Sequence, residues 1–188
     1  DTVTSLGGVP LYLDKWKIDL AYSCSQKGLS CPPGLGPFSM NQRAENKMNN
    51  RKDKGPNWYL DVSLLNKYWG SDRVYHHTAP VNMNFGIREA LRLLAEEGLE
   101  ASWDRHRKNA ESLWNSLEKI GLELQVEEEL RLPTLTTVKI PEDTNGKAFT
   151  SHLLNNFGVE IGGGLGDLAG KVWRIGLMGY NSTSANVD

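Results

Sequence analysis

The segment SCSQKGLSCPPG, residues 23–34, places a single lysine, Lys27, among small and hydroxylated side chains. It follows directly on an apolar, strand-like run, Leu20-Ala21-Tyr22. Such a lysine either extends its ammonium group into water, or it sits in a crowded, partly desolvated site beside a flat cofactor. In the second case the amine loses its proton and attacks a carbonyl carbon. Other parts of the sequence are needed to distinguish these two interpretations.

The composition limits the class of protein. The chain has 188 residues, a formal net charge of −2 and 39% hydrophobic residues, which is typical of a globular protein. No stripe of lysine and arginine suggests a nucleic-acid partner, and no apolar run has the length of a membrane span. The two cysteines, Cys24 and Cys31, are too few and wrongly spaced for a zinc site or a disulfide framework. We therefore expect a reducing, intracellular compartment.

The hydrophobic pattern alternates between strand-like and helical spacing. Apolar runs broken by glycine and proline predict strands, and apolar residues at helical spacing predict helices, one of which stops at Gly98. The predicted strands cover residues 11–13, 18–22, 38–40, 135–140, 159–161 and 172–175, and the predicted helices cover 42–50, 79–97, 103–120 and 147–157. This alternation indicates an α/β protein. We place a domain boundary near Gly98, between residues 1–97 and residues 98–188.

A glycine-rich segment, GGGLGDLAG at residues 162–170, satisfies a loose dinucleotide-binding fingerprint. The fingerprint requires a helix after the glycines, whereas the next residues predict a strand, so we interpret the segment as a loop beside a binding site. Arg174 lies in that strand between Trp173 and Ile175. It either faces solvent or a structural carboxylate, or it clamps a substrate carboxylate with two parallel hydrogen bonds.

Two further features are candidates for ligand binding. In the segment YHHT, residues 75–78, adjacent histidines on a strand would point to opposite faces, which argues against a metal site. The hydroxyl groups of Tyr75 and Thr78 are three residues apart and suit a single phosphate group. Asp1 and Lys27, on neighbouring strand ends, would meet opposite ends of one flat molecule.

Taken together, these motifs resemble those of a known family. The order DTVTSLGG at residues 1–8, SxSQK at 23–27, YHHT at 75–78 and the glycines from Gly162 to Gly179 closely resembles the alanine–glyoxylate and serine–pyruvate aminotransferases. These are fold-type I, class V enzymes that depend on pyridoxal 5'-phosphate. The resemblance runs through essentially the whole chain. It implies a fold made of the C-terminal part of the large mixed-sheet transferase domain, followed by a smaller α+β C-terminal domain.

The resemblance also implies a role for each candidate residue. Lys27 would hold the cofactor as a Schiff base, and Gln26 would contact the cofactor. Asp1 would keep the pyridinium nitrogen protonated. Tyr75 and Thr78 would bind the phosphate group of the neighbouring active site in a homodimer, and Arg174 would bind the carboxylate of the amino acid.

The family's N-terminal half, with its phosphate-binding segment and the aromatic residue stacked on the cofactor ring, has no counterpart in this sequence. The end of the small domain is also absent. We therefore expect a fragment with two cut ends that is not a competent enzyme by itself.

Three functional hypotheses remain. The first is transamination from alanine or serine to glyoxylate or pyruvate, in the cytoplasm or in peroxisomes. The second is a class V lyase or desulfurase, for which Cys24 and Cys31 are the available thiols. The third is a non-catalytic fragment that supplies only a dimerisation or packing surface.

Overall fold

A computed structural model describes residues 1–53 and 55–187. The chain alternates short strands and helices, as the sequence predicts. The strands are β1 Leu20–Tyr22, β2 Phe38–Met40, β3 Leu135–Lys139, β4 Gly162–Gly163 and β5 Val172–Gly176. The helices are α1 Gln42–Asn49, α2 Val62–Trp69, α3 Val81–Glu97, α4 Leu99–Lys119 and α5 Gly146–Phe157. Short 3₁₀ turns cover Glu128–Leu130, Gly166–Leu168, Gly179–Asn181 and Ser184–Asn186.

The first sheet is an antiparallel pair, in which Leu20 of β1 faces Met40 of β2. The loop that joins the two strands carries Lys27. The predicted strand at residues 38–40 is confirmed, whereas the strand predicted at 18–22 begins only at Leu20. The strand predicted at residues 11–13 is wrong. This segment leads into turns, closed by a hydrogen bond from the Trp16 amide to the Tyr12 carbonyl, because its apolar side chains have no neighbouring strand to pair with.

Three helices have ends that the sequence specifies. The Asn41 side chain accepts a hydrogen bond from the Ala44 amide and so caps α1. Gly98, with φ at +86°, ends α3 and directly precedes α4, as the glycine stop predicts. Helix α2 lies in a stretch with no predicted helix, and its N-cap is Asp61, whose carboxylate accepts from the Ser63 amide.

The second sheet has the order β3-β5-β4 and is antiparallel throughout. Its buried centre is formed by Leu124, Val138 and Trp173, against which Trp114 and Leu117 of α4 pack. The Trp114 indole donates a 2.8 Å hydrogen bond to the Thr136 hydroxyl, which satisfies the buried polar group of the ring. The strand predicted at 159–161 is wrong: pairing with β5 begins only at β4, because the residues after α5 are still leaving the helix cap.

Helix α4 connects this second sheet to the beginning of the chain. The buried Ser102 hydroxyl donates a 2.8 Å hydrogen bond to the Gly7 carbonyl, across 95 positions of sequence. The proposed division at Gly98 stays a prediction. Whatever the division, the N-terminal turn of α4 packs against residues 1–8, close to the loop that carries Lys27.

Candidate active site

The loop around Lys27 is closed by Ser25, which is fully buried. The Ser25 hydroxyl donates to the Pro32 carbonyl at 2.7 Å and accepts from the Leu35 amide at 3.3 Å. The backbone of Ser25 also bonds to Leu35 and to Cys31. These bonds fix both sides of the loop, so Lys27 projects from a constrained segment rather than from a free surface turn.

Gly28 and Ser30 determine the backbone conformation of the turn that follows Lys27. A Cβ atom at Gly28 would lie 2.2 Å from the Leu6 carbonyl oxygen, so only glycine fits this approach of two backbones. Ser30 has φ at +56°, and its amide donates to the Lys27 carbonyl at 2.8 Å. The turn after Lys27 is therefore tight and closely packed against residues 1–8.

Lys27 is half-buried and opens onto a cleft of about 400 Å³. One wall of the cleft comes from the Lys27 loop, and the other comes from the end of β5 and the turn that follows. The lining residues are Gln26, Lys27, Ser30 and Cys31 on the first wall and Gly176, Met178, Tyr180 and Asn181 on the second. Of the six predicted site residues, the structure brings Gln26 and Lys27 together in this cleft.

Direct contacts hold the two walls together. The Tyr180 amide donates a 2.7 Å hydrogen bond to the Ser30 hydroxyl. A Cβ atom at Gly179 would lie 1.9 Å from the same hydroxyl oxygen and 2.7 Å from the Gly28 carbonyl oxygen. Gly179 also has φ at +57°. Any side chain at this position would push the second wall away from the loop that carries Lys27.

Helix α4 supports the second wall from below. The fully buried His106 ring accepts the Gly179 amide at Nε2, at 2.9 Å, and bonds the Ser102 carbonyl through Nδ1 at 2.7 Å. Arg105 donates to the Gly179 carbonyl at 2.9 Å and to the Ser182 carbonyl at 2.7 Å. Burial lowers the pKa of the His106 imidazole, and the Ser102 carbonyl opposes this shift. His106 is therefore neutral near pH 7.

Asp1 is held beside the end of β1. Its Oδ1 atom accepts the Val3 amide and its Oδ2 atom accepts the Tyr22 hydroxyl, both at 2.8 Å. The Thr2 amide and hydroxyl bond the Tyr22 carbonyl, and the Ser23 hydroxyl bonds the Thr2 carbonyl. The carboxylate is exposed and fixed next to the strand that leads to Lys27; Asp1 itself lies outside the strands, and its role at a ring nitrogen stays a prediction.

Tyr75 and Thr78 form a pair of hydroxyl groups on the surface. Their oxygens are 3.1 Å apart, and Tyr75 is 72% exposed. Neither residue lines the Lys27 cleft of the same chain in the part that the structure describes. The spacing of three residues brings the two hydroxyls together, and their binding of a phosphate group stays a prediction.

The two histidines between them do not diverge as they would on a strand. The backbone here is irregular, and the two Nδ1 atoms meet at 2.8 Å. His76 is buried, stacks on Trp58 at 4.0 Å between ring centroids, and bonds the Trp58 carbonyl through Nε2 at 3.1 Å. Since a carbonyl only accepts, His76 carries its proton on Nε2, and its Nδ1 accepts from His77. Among residues 1–53 and 55–187, no group of three or more His, Cys, Asp and Glu side chains is arranged to hold a metal.

Arg174 lies on β5 two residues before Gly176, on the same face of the strand; Gly176 lines the cleft, whereas Arg174 does not. Its Nε atom donates to the Gly163 carbonyl at 2.7 Å, and its guanidinium plane lies along Gly162 of β4. Within the described residues its terminal nitrogens form no ion pair. The fork is thus oriented by the sheet and remains available to an anion.

Four residues that shape the cleft were not predicted as site residues: Ser30, His106, Met178 and Tyr180. Ser30 belongs to the Lys27 loop itself, whereas the other three reach this region only through long-range folding: His106 and Gly179, which it contacts, are 73 positions apart. The glycines beside them, Gly28 and Gly179, were the only local signal of close packing.

In the described part of the chain, none of the helices is both long and apolar enough to cross a membrane.

Comparisons with known proteins agree with this arrangement. The aminotransferase class V family model matches residues 1–188. A solved alanine–glyoxylate aminotransferase from Nostoc sp. is 64% identical with a TM-score of 0.97, over 100% of this chain and 50% of that chain. A ureidoglycine–glyoxylate aminotransferase from Bacillus subtilis is 39% identical with a TM-score of 0.95, over 100% of this chain and 48% of that one. The rabbit (Oryctolagus cuniculus) alanine–glyoxylate aminotransferase is 49% identical, over 100% of this chain and 49% of its own length.

The chain spans about half the length of the relatives it matches. The α/β fold predicted from the sequence is confirmed by the two solved structures. The pyridoxal phosphate cofactor implied by the resemblance is confirmed as well, because class V aminotransferases are pyridoxal phosphate enzymes. The chain belongs to the class V aminotransferase family.

Proposed function

We propose that this chain is part of a pyridoxal-phosphate-dependent aminotransferase that moves an amino group from alanine or serine to glyoxylate or pyruvate. The observation that carries the proposal is the constrained Lys27 loop, which presents a half-buried amine to a cleft walled by the end of β5. The names of the Nostoc and rabbit relatives support glyoxylate as the acceptor.

The residues present fit the cofactor. The Asp1 carboxylate is already oriented by the Val3 amide and the Tyr22 hydroxyl, so it is preorganised to face a protonated ring nitrogen. Lys27 supplies the amine and Gln26 an amide on the same wall of the cleft. When bound, pyridoxal phosphate supplies an electron sink for the negative charge that develops at the α-carbon of the amino acid.

Lys27 has two tasks in this proposal. Its Nζ atom holds the cofactor between turnovers, and afterwards it takes the proton from the α-carbon of the amino acid as a general base. Both tasks need a neutral amine at a fixed position. The bonds of Ser25 and the tight turn at Gly28 provide this position, because the backbone on both sides of Lys27 is constrained.

Arg174 binds the substrate carboxylate in this proposal. Its planar fork suits two parallel hydrogen bonds to a carboxylate, and the Gly163 carbonyl already fixes its orientation. The small residues Gly162 and Gly176 on either side leave room for the substrate to approach.

We propose further that the enzyme is a homodimer and that Tyr75 and Thr78 bind the phosphate group in the neighbouring subunit's site. Their paired hydroxyls are exposed and lie outside the cleft of their own chain, which supports this assignment. The free thiols of Cys24 and Cys31 support a reducing intracellular compartment, either the cytoplasm or peroxisomes.

Sulfur transfer from cysteine is disfavoured by the position of the two thiols. Cys31 lines the cleft but is only 5% exposed, and Cys24 is half-buried and does not line the cleft, whereas such a reaction needs a reactive, accessible thiolate at the site. A purely packing role is disfavoured because it leaves the oriented Asp1 carboxylate and the constrained Lys27 loop without a purpose.

Substitution of Lys27 tests the proposal. In the holoenzyme, Lys27→Ala is expected to abolish transamination of alanine with glyoxylate, whereas the control Lys108→Ala, at an exposed position of α4, is expected to retain it. Transamination by Lys27→Ala at near the wild-type rate would refute the assignment. Sulfide release from cysteine, measured on the same samples, would favour the desulfurase hypothesis instead.

A further inference from the structure

One buried histidine joins helix α4 to the wall of the Lys27 cleft. His106 is fully buried, and both of its ring nitrogens have a backbone partner. The Ser102 carbonyl only accepts, so Nδ1 carries the proton. The Gly179 amide only donates, so Nε2 is unprotonated. These two partners define a single tautomer of the neutral ring.

Gly179 connects the His106 ring to the wall of the cleft. It lies between Met178 and Tyr180, which both line the cleft, and its backbone is packed against Gly28 and the Ser30 hydroxyl. The first of these, Gly28, directly follows Lys27. The chain of contacts from the imidazole to the catalytic amine therefore involves backbone atoms and one serine hydroxyl, which allow little adjustment.

We propose that His106 is a positioning residue for the Lys27 cleft: its neutral imidazole fixes the Gly179 amide and, through it, the cleft wall at residues 178–181. The inference rests on the proposed function, since it assigns the purpose of the wall to the chemistry at Lys27. Arg105 holds the carbonyl of the same glycine, so the peptide groups on both sides of Gly179 are fixed by adjacent residues of α4.

A matched pair of variants separates positioning from general stability. In His106→Gln the side-chain oxygen reaches the position of Nε2 and accepts the Gly179 amide. In His106→Asn the shorter side chain reaches only the position of Nδ1, so it bonds Ser102 and leaves the Gly179 amide without a partner. Both variants bury an uncharged amide group and each keeps one of the two native bonds, so the pair shows whether the bond to Gly179 or the bond to Ser102 matters for the cleft.

The test compares the hydrogen exchange of the Gly179 amide in the protein without cofactor, and the steady-state kinetics and thermal unfolding of the holoenzyme. For His106→Asn we expect exchange of the Gly179 amide to be about tenfold faster. Because an error of about 1 Å in a site costs up to about a hundredfold, we expect its kcat/KM to fall between tenfold and a hundredfold. His106→Gln is expected to restore most of both quantities. Equal behaviour of the two variants, or unchanged exchange in His106→Asn, would overturn the proposal.

A measurement on the unaltered protein covers the case in which neither variant folds. Nitrogen-15 spectra of the histidine rings report the tautomer directly, and the proposal requires His106 to carry its proton on Nδ1. A proton on Nε2 would overturn it. Borohydride labelling of wild-type Lys27 distinguishes failure of the proposed function from failure of the proposed role of His106. Absence of the label refutes the proposed function. A labelled Lys27 with unaltered kinetics in His106→Asn refutes only the role of His106.

Discussion

Gly28→Ala tests whether the close approach of two backbones positions Lys27. The new Cβ atom would lie 2.2 Å from the Leu6 carbonyl oxygen, so the two segments must move apart by about 1.2 Å to reach the 3.4 Å of ordinary van der Waals contact. The Leu6 amide bonds the Thr2 carbonyl at 3.0 Å, and the loop after Lys27 is pinned by Ser25, so neither side yields freely.

Overpacking of this kind costs about 1–3 kcal/mol, and the rigidity of both segments places the expected cost at about 2–3 kcal/mol. In a protein of about 150–250 residues that loss lowers the melting temperature by about 5–10 °C, and in the longer holoenzyme the shift is smaller. Because the displacement falls next to Lys27, we expect kcat/KM to fall by up to about a hundredfold. The displaced backbone at residue 28 causes both effects, so the lower melting temperature and the lower kcat/KM should appear in the same variant.

The assay compares Gly28→Ala with Gly36→Ala, both as holoenzymes, by thermal unfolding and by the initial rate of transamination. A Cβ atom at Gly36 would lie 3.6 Å from the Ser23 carbonyl oxygen, an ordinary contact, so this control should change the free energy of unfolding by no more than about 0.5 kcal/mol. If the two variants have the same melting temperature and the same kcat/KM, the argument from backbone approach is refuted.

Two further predictions concern His106 and Arg174. Burial lowers the native pKa of the His106 imidazole below its usual 6.5. The contribution of this ring to the free energy of unfolding is therefore fully present above pH 6.5. It then falls, by at most about 1.4 kcal/mol per pH unit, as the pH drops from 6.5 to the lowered native pKa. Arg105 and Glu97 are the charged groups that act on the ring, and they oppose each other. Denaturant titrations should show a weaker dependence in this window for His106→Gln, and an unchanged slope would contradict the assignment. Arg174→Lys keeps the charge but loses the planar fork, so the KM for the amino acid should rise about tenfold with a smaller change in kcat; an unchanged KM would count against the carboxylate role.

The sequence predicted those parts of the fold that depend on local chemistry. The glycine stop at Gly98 was correct because a residue with φ at +86° ends a helix whatever surrounds it. The strand at β2 and the helix α5 followed from hydrophobic spacing in the same way. The strand expected at residues 11–13 failed, because an apolar run of three residues becomes a strand only when another strand lies beside it.

In the candidate site too, local features could be predicted from the sequence and long-range contacts could not. Tyr75 and Thr78 are three residues apart, and this local spacing brings their hydroxyls to 3.1 Å, while their binding of a phosphate group stays a prediction. The contact of His106 with Gly179 joins residues far apart in the chain, and no local pattern indicates it. The roles proposed for Lys27, Asp1 and Arg174 came from the resemblance to a family. The structure adds the contacts that orient the Asp1 and Arg174 side chains and that constrain the loop of Lys27.

The measurement that tests the central claim most directly is borohydride reduction of the holoenzyme, followed by mass mapping of every lysine-containing peptide. Reduction fixes pyridoxal phosphate to whichever amine holds it. The account predicts a pyridoxyl group on Lys27 and on none of the exposed lysines, such as Lys108 of α4. A label on another lysine, with Lys27 unmodified, would contradict it.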